Sequence, residues 1–160
     1  MAADIFLKLG DIKGESQDSK HKDEIELLSW SWGVTQGGTM AFGGGGGEGK
    51  ASFSDFTLTH KVDKATPNLM KACATLDHIK EATVTQRKAG KEQQEYLIFK
   101  MTDIIITGVH PAGHDGDGGP TENVSLQCAK VDMEYKPQKQ DGSLDAGVHF
   151  KYDIKGNKAD

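Results

Sequence analysis

GGGGGEGKASFSDFTLTHKV, Gly43 to Val62, is the stretch on which the fold turns. From Gly44 it fits the first seven places of a phosphate-binding pattern, G-x-x-x-x-G-K, ending at Lys50. The eighth place, which should carry a magnesium-holding hydroxyl, is Ala51. The pattern works only where a helix leaves the loop and aims free N–H groups at phosphate. Here Phe56, Leu58, His60 and Val62 alternate with Thr57, Thr59 and Lys61, so the glycines lead into a strand. Without its helix the cradle loses both aligned donors and macrodipole, and nucleotide binding is strongly disfavoured. The glycines read instead as a long hairpin extension, because residues without side chains have nothing to pack and lose much backbone entropy on ordering. Phe53 is out of phase with Phe56, which predicts a bulge near Ser54 and Asp55.

Outward from that strand the same period recurs. Ala3, Ile5, Leu7 and Leu9 alternate with Asp4, Phe6 and Lys8. After a polar stretch, Asp11 to Asp23, EIELLSWSWG sets Leu28, Trp30 and Trp32 on one face and Leu27, Ser29 and Ser31 on the other. KATPNLMKACATLDH is the one helix, with Thr66 as cap, Pro67 in the first turn and a stripe of Leu69, Met70, Cys73 and Leu76. Strands return in ATVTQR, EYLIFKM and DIIITGV. In TENVSLQCAKVDMEY the apolar phase moves from Val124, Leu126 and Cys128 to Ala129, Val131, Met133 and Tyr135, the mark of a bulge or bend. A last strand places Val148, Phe150, Tyr152 and Ile154 on one face. The pattern predicts a mainly β fold: a compact antiparallel barrel of about eight or nine strands with one short helix and a glycine-rich hairpin loop.

With 160 residues, 36% hydrophobic and 27% charged, the chain fits a single domain, 1–160. A formal net charge of -5, with both signs mixed along the chain, argues against general affinity for nucleic acid or anionic membrane. The start MAADIFLKLG lacks the basic and apolar regions of a signal peptide, and no apolar run is long enough to span a bilayer. Cys73 and Cys128 lack the spacing of a metal or redox motif and read as small buried residues.

No enzyme constellation stands out. His110, His114, Asp115 and Asp117 crowd a loop, but nothing there orients a ligand set, so a solvated turn is the better reading and no metal or cofactor is expected. His60, on the apolar face of its strand, reads as a buried histidine bonded to a neighbour. Lys61, Asp63, Glu24 and Glu26 read as solvated charges. Trp30 and Trp32 read as core. The face opposite them is short and weakly polar at Ser29 and Ser31, which suits a surface that something approaches closely.

IKGES (Ile12 to Ser16), EIELLSWSWG (Glu24 to Gly33), the glycine-rich loop, VDKATPNLMKAC (Val62 to Cys73), RKAG (Arg87 to Gly90), EYLIF (Glu95 to Phe99), and TENVSL with YKPQ resemble the Hcp proteins. These build the inner tube of bacterial type VI secretion systems. The resemblance implies a β-barrel with one helix, six copies closed head-to-tail into a ring, and rings stacked into a tube like that of a phage tail. A contractile sheath on a baseplate drives such a tube, with its VgrG spike, out of the cell, so the protein reaches the medium without a signal peptide. Small secreted effectors ride inside and are stabilised there. Ser29 and Ser31 are then expected on the lumen wall. The loop Gly37, Gly38, Thr39, Met40, Ala41, Phe42, Gly43, Gly44, Gly45, Gly46, Gly47, Glu48, Gly49 and Lys50 is expected to reach the next ring. The reading from another class is a monomeric ligand- or nucleotide-binding β-barrel.

Overall fold

A computed structural model describes residues 3–37, 50–88, 90, 92–116 and 118–160. In chain order its elements are β1 (Ala3–Leu9), β2 (Ile25–Glu26), β3 (Ser29–Ser31), β4 (Val34–Gln36), β5 (Ala51–Phe53), β6 (Phe56–Lys61), α1 (Thr66–Ala74), β7 (Ile79–Lys88), β8 (Glu95–Ala112), β9 (Thr121–Tyr135), β10 (Val148–Asp153) and β11 (Lys158–Ala159). The protein is mainly β and antiparallel throughout, with α1 the one helix among the described residues. Nine strands form one sheet, ordered β11-β10-β9-β8-β7-β1-β2, with β6 also on β9 and β3 on β6. β4 and β5 make a separate ribbon at the base of the glycine-rich stretch, most of which lies outside the described residues.

The long strands follow their composition. β8 is rich in Ile, Phe and Tyr, and it pairs with β9 along nearly its whole length, from Leu97 opposite Tyr135 to Ala112 opposite Thr121. The register between them shifts between Ile106 and Gly108, opposite Leu126 and Ser125, and along β9 the buried phase passes from Val124 and Leu126 to Val131 as the sequence predicts. Asp103, at φ 55°, marks a second distortion of β8. The core runs through Leu7, Leu9, Ile25, Leu58, Phe99, Ile104, Ile106 and Leu126, and α1 covers it with Leu69 and Ala72.

The run EIELLSWSWG is two strands rather than one. Leu27 N–H donates to Ile5 C=O and Leu28 N–H to Thr59 C=O, so its first half leans on β1 and its second on β6. The bend between them joins β1 to β6 around the core. It also changes the phase: Leu27 is buried while Leu28, expected in the core, is 54% exposed. Trp30 and Trp32 do pack inward, with Trp30 at 4.8 Å and Trp32 at 6.0 Å from the Phe99 ring. β1 departs from simple alternation as well. Phe6 is buried with Leu7, because the His21 ring stacks on it at 4.4 Å and the Arg87 guanidinium lies 4.8 Å over it.

Those two side chains fasten the polar stretch that precedes β2. His21 bonds Glu24 at 3.0 Å and Glu95 at 2.7 Å, and Arg87 donates to Asp18 and Asp4. Glu24 therefore faces a partner rather than solvent. So does Asp63, whose carboxylate accepts the Ala65 N–H at the start of α1. Thr66 is not the helix cap; Ala65 holds that place, and the Thr66 hydroxyl donates into the core to Glu122 at 3.2 Å. The helix stripe turns accordingly. Leu69 and Ala72 are buried, Cys73 is half-buried, and Met70 and Leu76 are exposed. On β10 the alternation holds, but the face is only partly covered: Tyr152 packs on the core, while Phe150 and Val148 are exposed.

Candidate functional site: a neutral wall across four strands

Ser29 and Ser31 stand side by side with partners that periodicity alone did not select. The register carries Ser29 to Thr59 on β6, Thr59 to Asn123 on β9, and Asn123 to His110 on β8. A parallel row runs from Ser31 to Thr57, Ser125 and Gly108. Both rows face away from the core, because Trp30, Leu58 and Val124 occupy the alternate positions and point inward. Together they line a shallow trough of about 450 Å³ with no Lys, Arg, Asp or Glu among its walls.

Each row is tied laterally. Thr57 donates to the Ser31 carbonyl at 3.3 Å, and Thr59 donates to Asn123 Oδ1 at 2.7 Å. Thr107, at the rim, lies 2.8 Å from Asp55 Oδ2 and 2.9 Å from Ser125 Oγ, and Gln127 donates to Asp55 at 2.8 Å. The second row ends in glycine for a steric reason. A Cβ at Gly108 would lie 2.8 Å from Ser125 Oγ and 3.1 Å from His110 Nε2, so the imidazole leans over a gap that any side chain would fill.

A larger hollow, about 1040 Å³, lies between α1 and β7. Its lining mixes Lys8, Lys71 and Lys80 with Asp11, Asp77 and Glu81, which makes it an ordinary solvated surface. His60 is fully buried and bonds Glu122 Oε1 at 2.6 Å, as a packed structural histidine. His110, assigned by sequence to a loop with His114, Asp115 and Asp117, instead belongs to β8, paired with Asn123. Asp117 lies outside the described residues. Both cysteines are free and half-buried, and burial pushes the Cys128 thiol up to about 11. Of the loop expected to reach a neighbouring ring, Gly37 and Lys50 are described, both exposed, and Gly38 to Gly49 lie outside the described residues.

Sequence reading singled out the two serines but not Thr57, Thr59, Asn123, Ser125 and Gly108, which share their face. The four polar residues lie in the outward phase of FTLTHK and TENVSL; what aligned them with the serines and with Gly108 was the register between distant strands.

The chain is thus a mainly β protein with a wall free of Lys, Arg, Asp and Glu on one face. Residues 6–135 match the family described as "Type VI secretion system effector, Hcp". The chain is 47% identical over 159 residues to Protein hcp1 of Pseudomonas aeruginosa, covering 98% of each. The crystal structure of Hcp1 from Salmonella typhimurium is similar at 42% identity and a TM-score of 0.82, covering 99% of each chain. That of a type VI secretion system effector from Yersinia pestis is 36% identical with a TM-score of 0.77, covering 94% of this chain and 100% of the other. The chain belongs to the Hcp family of type VI secretion proteins.

Proposed function

We propose that this chain is the repeating subunit of a type VI secretion inner tube, closing with five further copies into a ring whose lumen is lined by the Ser29 and Ser31 wall. One observation carries this reading: the polar sheet β3-β6-β9-β8 has two open edges. Among the described residues no strand pairs with the far side of β3, and β7 leaves β8 at Ile104, so no strand pairs with β8 from Ile105 to Ala112 on that side. Exposed strand edges are templates for another chain. Two different edges flanking one face suit head-to-tail contact, which closes into a ring when the rotation allows.

In that ring the short hydroxyl side chains leave the lumen wide and without fixed charge, as a conduit for small secreted effectors requires. Gly37 to Lys50 reaches the next ring, and the stacked tube leaves the cell behind a VgrG spike when the sheath contracts on its baseplate. Assembly takes place in the cytoplasm, with release into the medium or a target cell without a signal peptide. No catalytic step, cofactor or metal is part of this role.

Sizing chromatography and electron microscopy test the ring. A mass near six subunits and an annular particle are expected; a 17.3 kDa monomer at high concentration would favour a monomeric ligand- or nucleotide-binding barrel instead. Ser31→Gln tests the wall. It should leave the ring intact and abolish co-purification of an effector from the same cell. Retention equal to wild type removes the lumen role, and loss of the ring places Ser31 in a subunit contact.

A further inference from the structure

The β4-β5 ribbon stands apart from the main sheet. Each strand is three residues long, and among the described residues the two pair only with each other. A two-stranded ribbon that short is not stable by itself in water, so its own ladder does not hold it in place. At its base the Ser54 N–H donates to the Gly33 carbonyl and the Gly33 N–H to Ser54 Oγ, both at 2.9 Å. The next residue, Asp55, is gripped by Thr107 and Gln127 at 2.8 Å each. These bonds fix where the ribbon begins. They sit at its foot, where they act on its direction with the least leverage.

Aromatic rings act further along. Phe53 of β5 lies 5.4 Å from Trp32, 5.0 Å from Tyr152 and 6.4 Å from Phe150, and Trp32 lies 6.4 Å from Phe150. All four separations fall in the range where aromatic pairs attract. Two rings of the ribbon side thus rest on two rings of β10. That strand is a firm mount. It pairs with β9 from Val148 opposite Tyr135 to Asp153 opposite Lys130, and its His149 is held between Asp132 at 2.8 Å and Glu134 at 3.0 Å. The Tyr152 hydroxyl donates to Asn157 Oδ1 at 3.0 Å, which fixes that ring from the other end. Phe150 differs from Tyr152 in one respect. Tyr152 packs on the core, whereas Phe150 is 37% exposed and stacks with Trp32, Phe53 and Tyr152. Its packing serves the ribbon more than the barrel.

We propose that Phe150, backed by Tyr152, is a positioning residue for the β4-β5 ribbon: it fixes the direction in which the ribbon leaves the barrel, and through that direction the contact of one ring with the next. The second half rests on the reading of Gly37 to Lys50 as the stacking loop, which β4 and β5 carry. The first half rests on the ring geometry alone.

Phe150→Ala removes the ring while leaving the main-chain ladder of β10 to β9 in place, and Phe150→Leu serves if the alanine variant fails to fold. Hydrogen–deuterium exchange read by mass spectrometry on the full chain, in whatever assembly it adopts, follows each element separately. Loss of two ring contacts should make peptides over β4 and β5 exchange about tenfold faster than in wild type, with those over β8, β9 and β10 unchanged. Phe150→Tyr should restore the wild-type rate. Unchanged ribbon exchange overturns the positioning role, and so does equal acceleration in β10, which would mean that the strand itself has frayed. Electron microscopy of the same samples should show single rings as abundant as in wild type and stacked rings about fivefold fewer, since a ribbon free to swing meets its target less often. A loosened ribbon with stacking at the wild-type level overturns the link to assembly. Failure of the tube reading is recognised separately, by wild-type protein that forms no rings or stacks, and the ribbon exchange still decides the role of Phe150 in that case.

Discussion

Breaking the His60–Glu122 pair should be the most destabilising polar change in this molecule. Both side chains are wholly excluded from solvent, joined at 2.6 Å, with Thr66 donating to the same carboxylate oxygen at 3.2 Å. The pair ties β6 to β9 and to the first turn of α1. Among the described residues His60 Nδ1 and Glu122 Oε2 have no hydrogen-bond partner, and the Asp63 carboxylate stands 3.9 Å from that nitrogen. Each group is thus stabilised mainly by the other. Removing one partner of a buried pair costs about 3–5 kcal/mol, since the remaining group stays desolvated and unpaired. For a chain of this size, where each kcal/mol moves Tm by about 2–4 °C, His60→Leu alone should lower Tm by ~6–20 °C. The double variant His60→Leu/Glu122→Met should recover part of that loss, because an apolar pair of similar volume removes both charged groups and leaves only the Thr66 hydroxyl without its acceptor. Thermal unfolding followed by circular dichroism, at matched protein concentration and with the assembly state checked by sizing, gives the comparison. A single variant within ~2 °C of wild type, or a double variant worse than the sum of the singles, would refute the reasoning.

The Arg87 guanidinium, assisted by the Lys20 and His21 N–H groups, lowers the Asp18 carboxyl from 3.8 to about 2. A carboxyl depressed on folding contributes stability that is complete above its unfolded value and fades as pH falls through the folded one. The urea midpoint of wild type should therefore drop more steeply between pH 4 and pH 2 than that of Asp18→Asn; parallel slopes would count against the Arg87 contact. Cys128, pushed up to about 11 by burial, should react with iodoacetamide at pH 8 far more slowly in the native protein than in urea. Rapid native labelling would show that β9 opens there.

Legibility varied with the range of the interaction concerned. Strand alternation in FTLTHK and the aromatic, β-branched runs of β7 and β8 are local properties, and they marked the mainly β fold and the strand after the glycines. Where prediction slipped, a distant group intervened. Leu28 left the core because its N–H is bound by Thr59, which bends the chain between two partners. Phe6 was buried on what looked like a solvent face because His21 and Arg87 cover it. Thr66 gave up the cap to reach Glu122, far along the chain.

The candidate site divides in the same way. Ser29 and Ser31 could be picked out from alternation alone, since a strand whose outward residues are both serine is legible without its neighbours. The two rows could not. Side-chain alternation along a strand is set by covalent geometry, so sequence by itself determined the faces of FTLTHK, the alternation of Ser29 and Ser31 with Trp30 and Trp32, and the family resemblance, while the burial of Phe6 and Leu27 and the exposure of Leu28 were decided by distant groups. Which outward residues become neighbours depends on register, and a slip of one residue would have turned each face over. The register of β3, β6, β9 and β8 is chosen by the packing of Trp30, Leu58, Val124 and Ile106 in a shared core. Only tertiary structure could set Asn123 beside Thr59 and Ser125 beside Thr107.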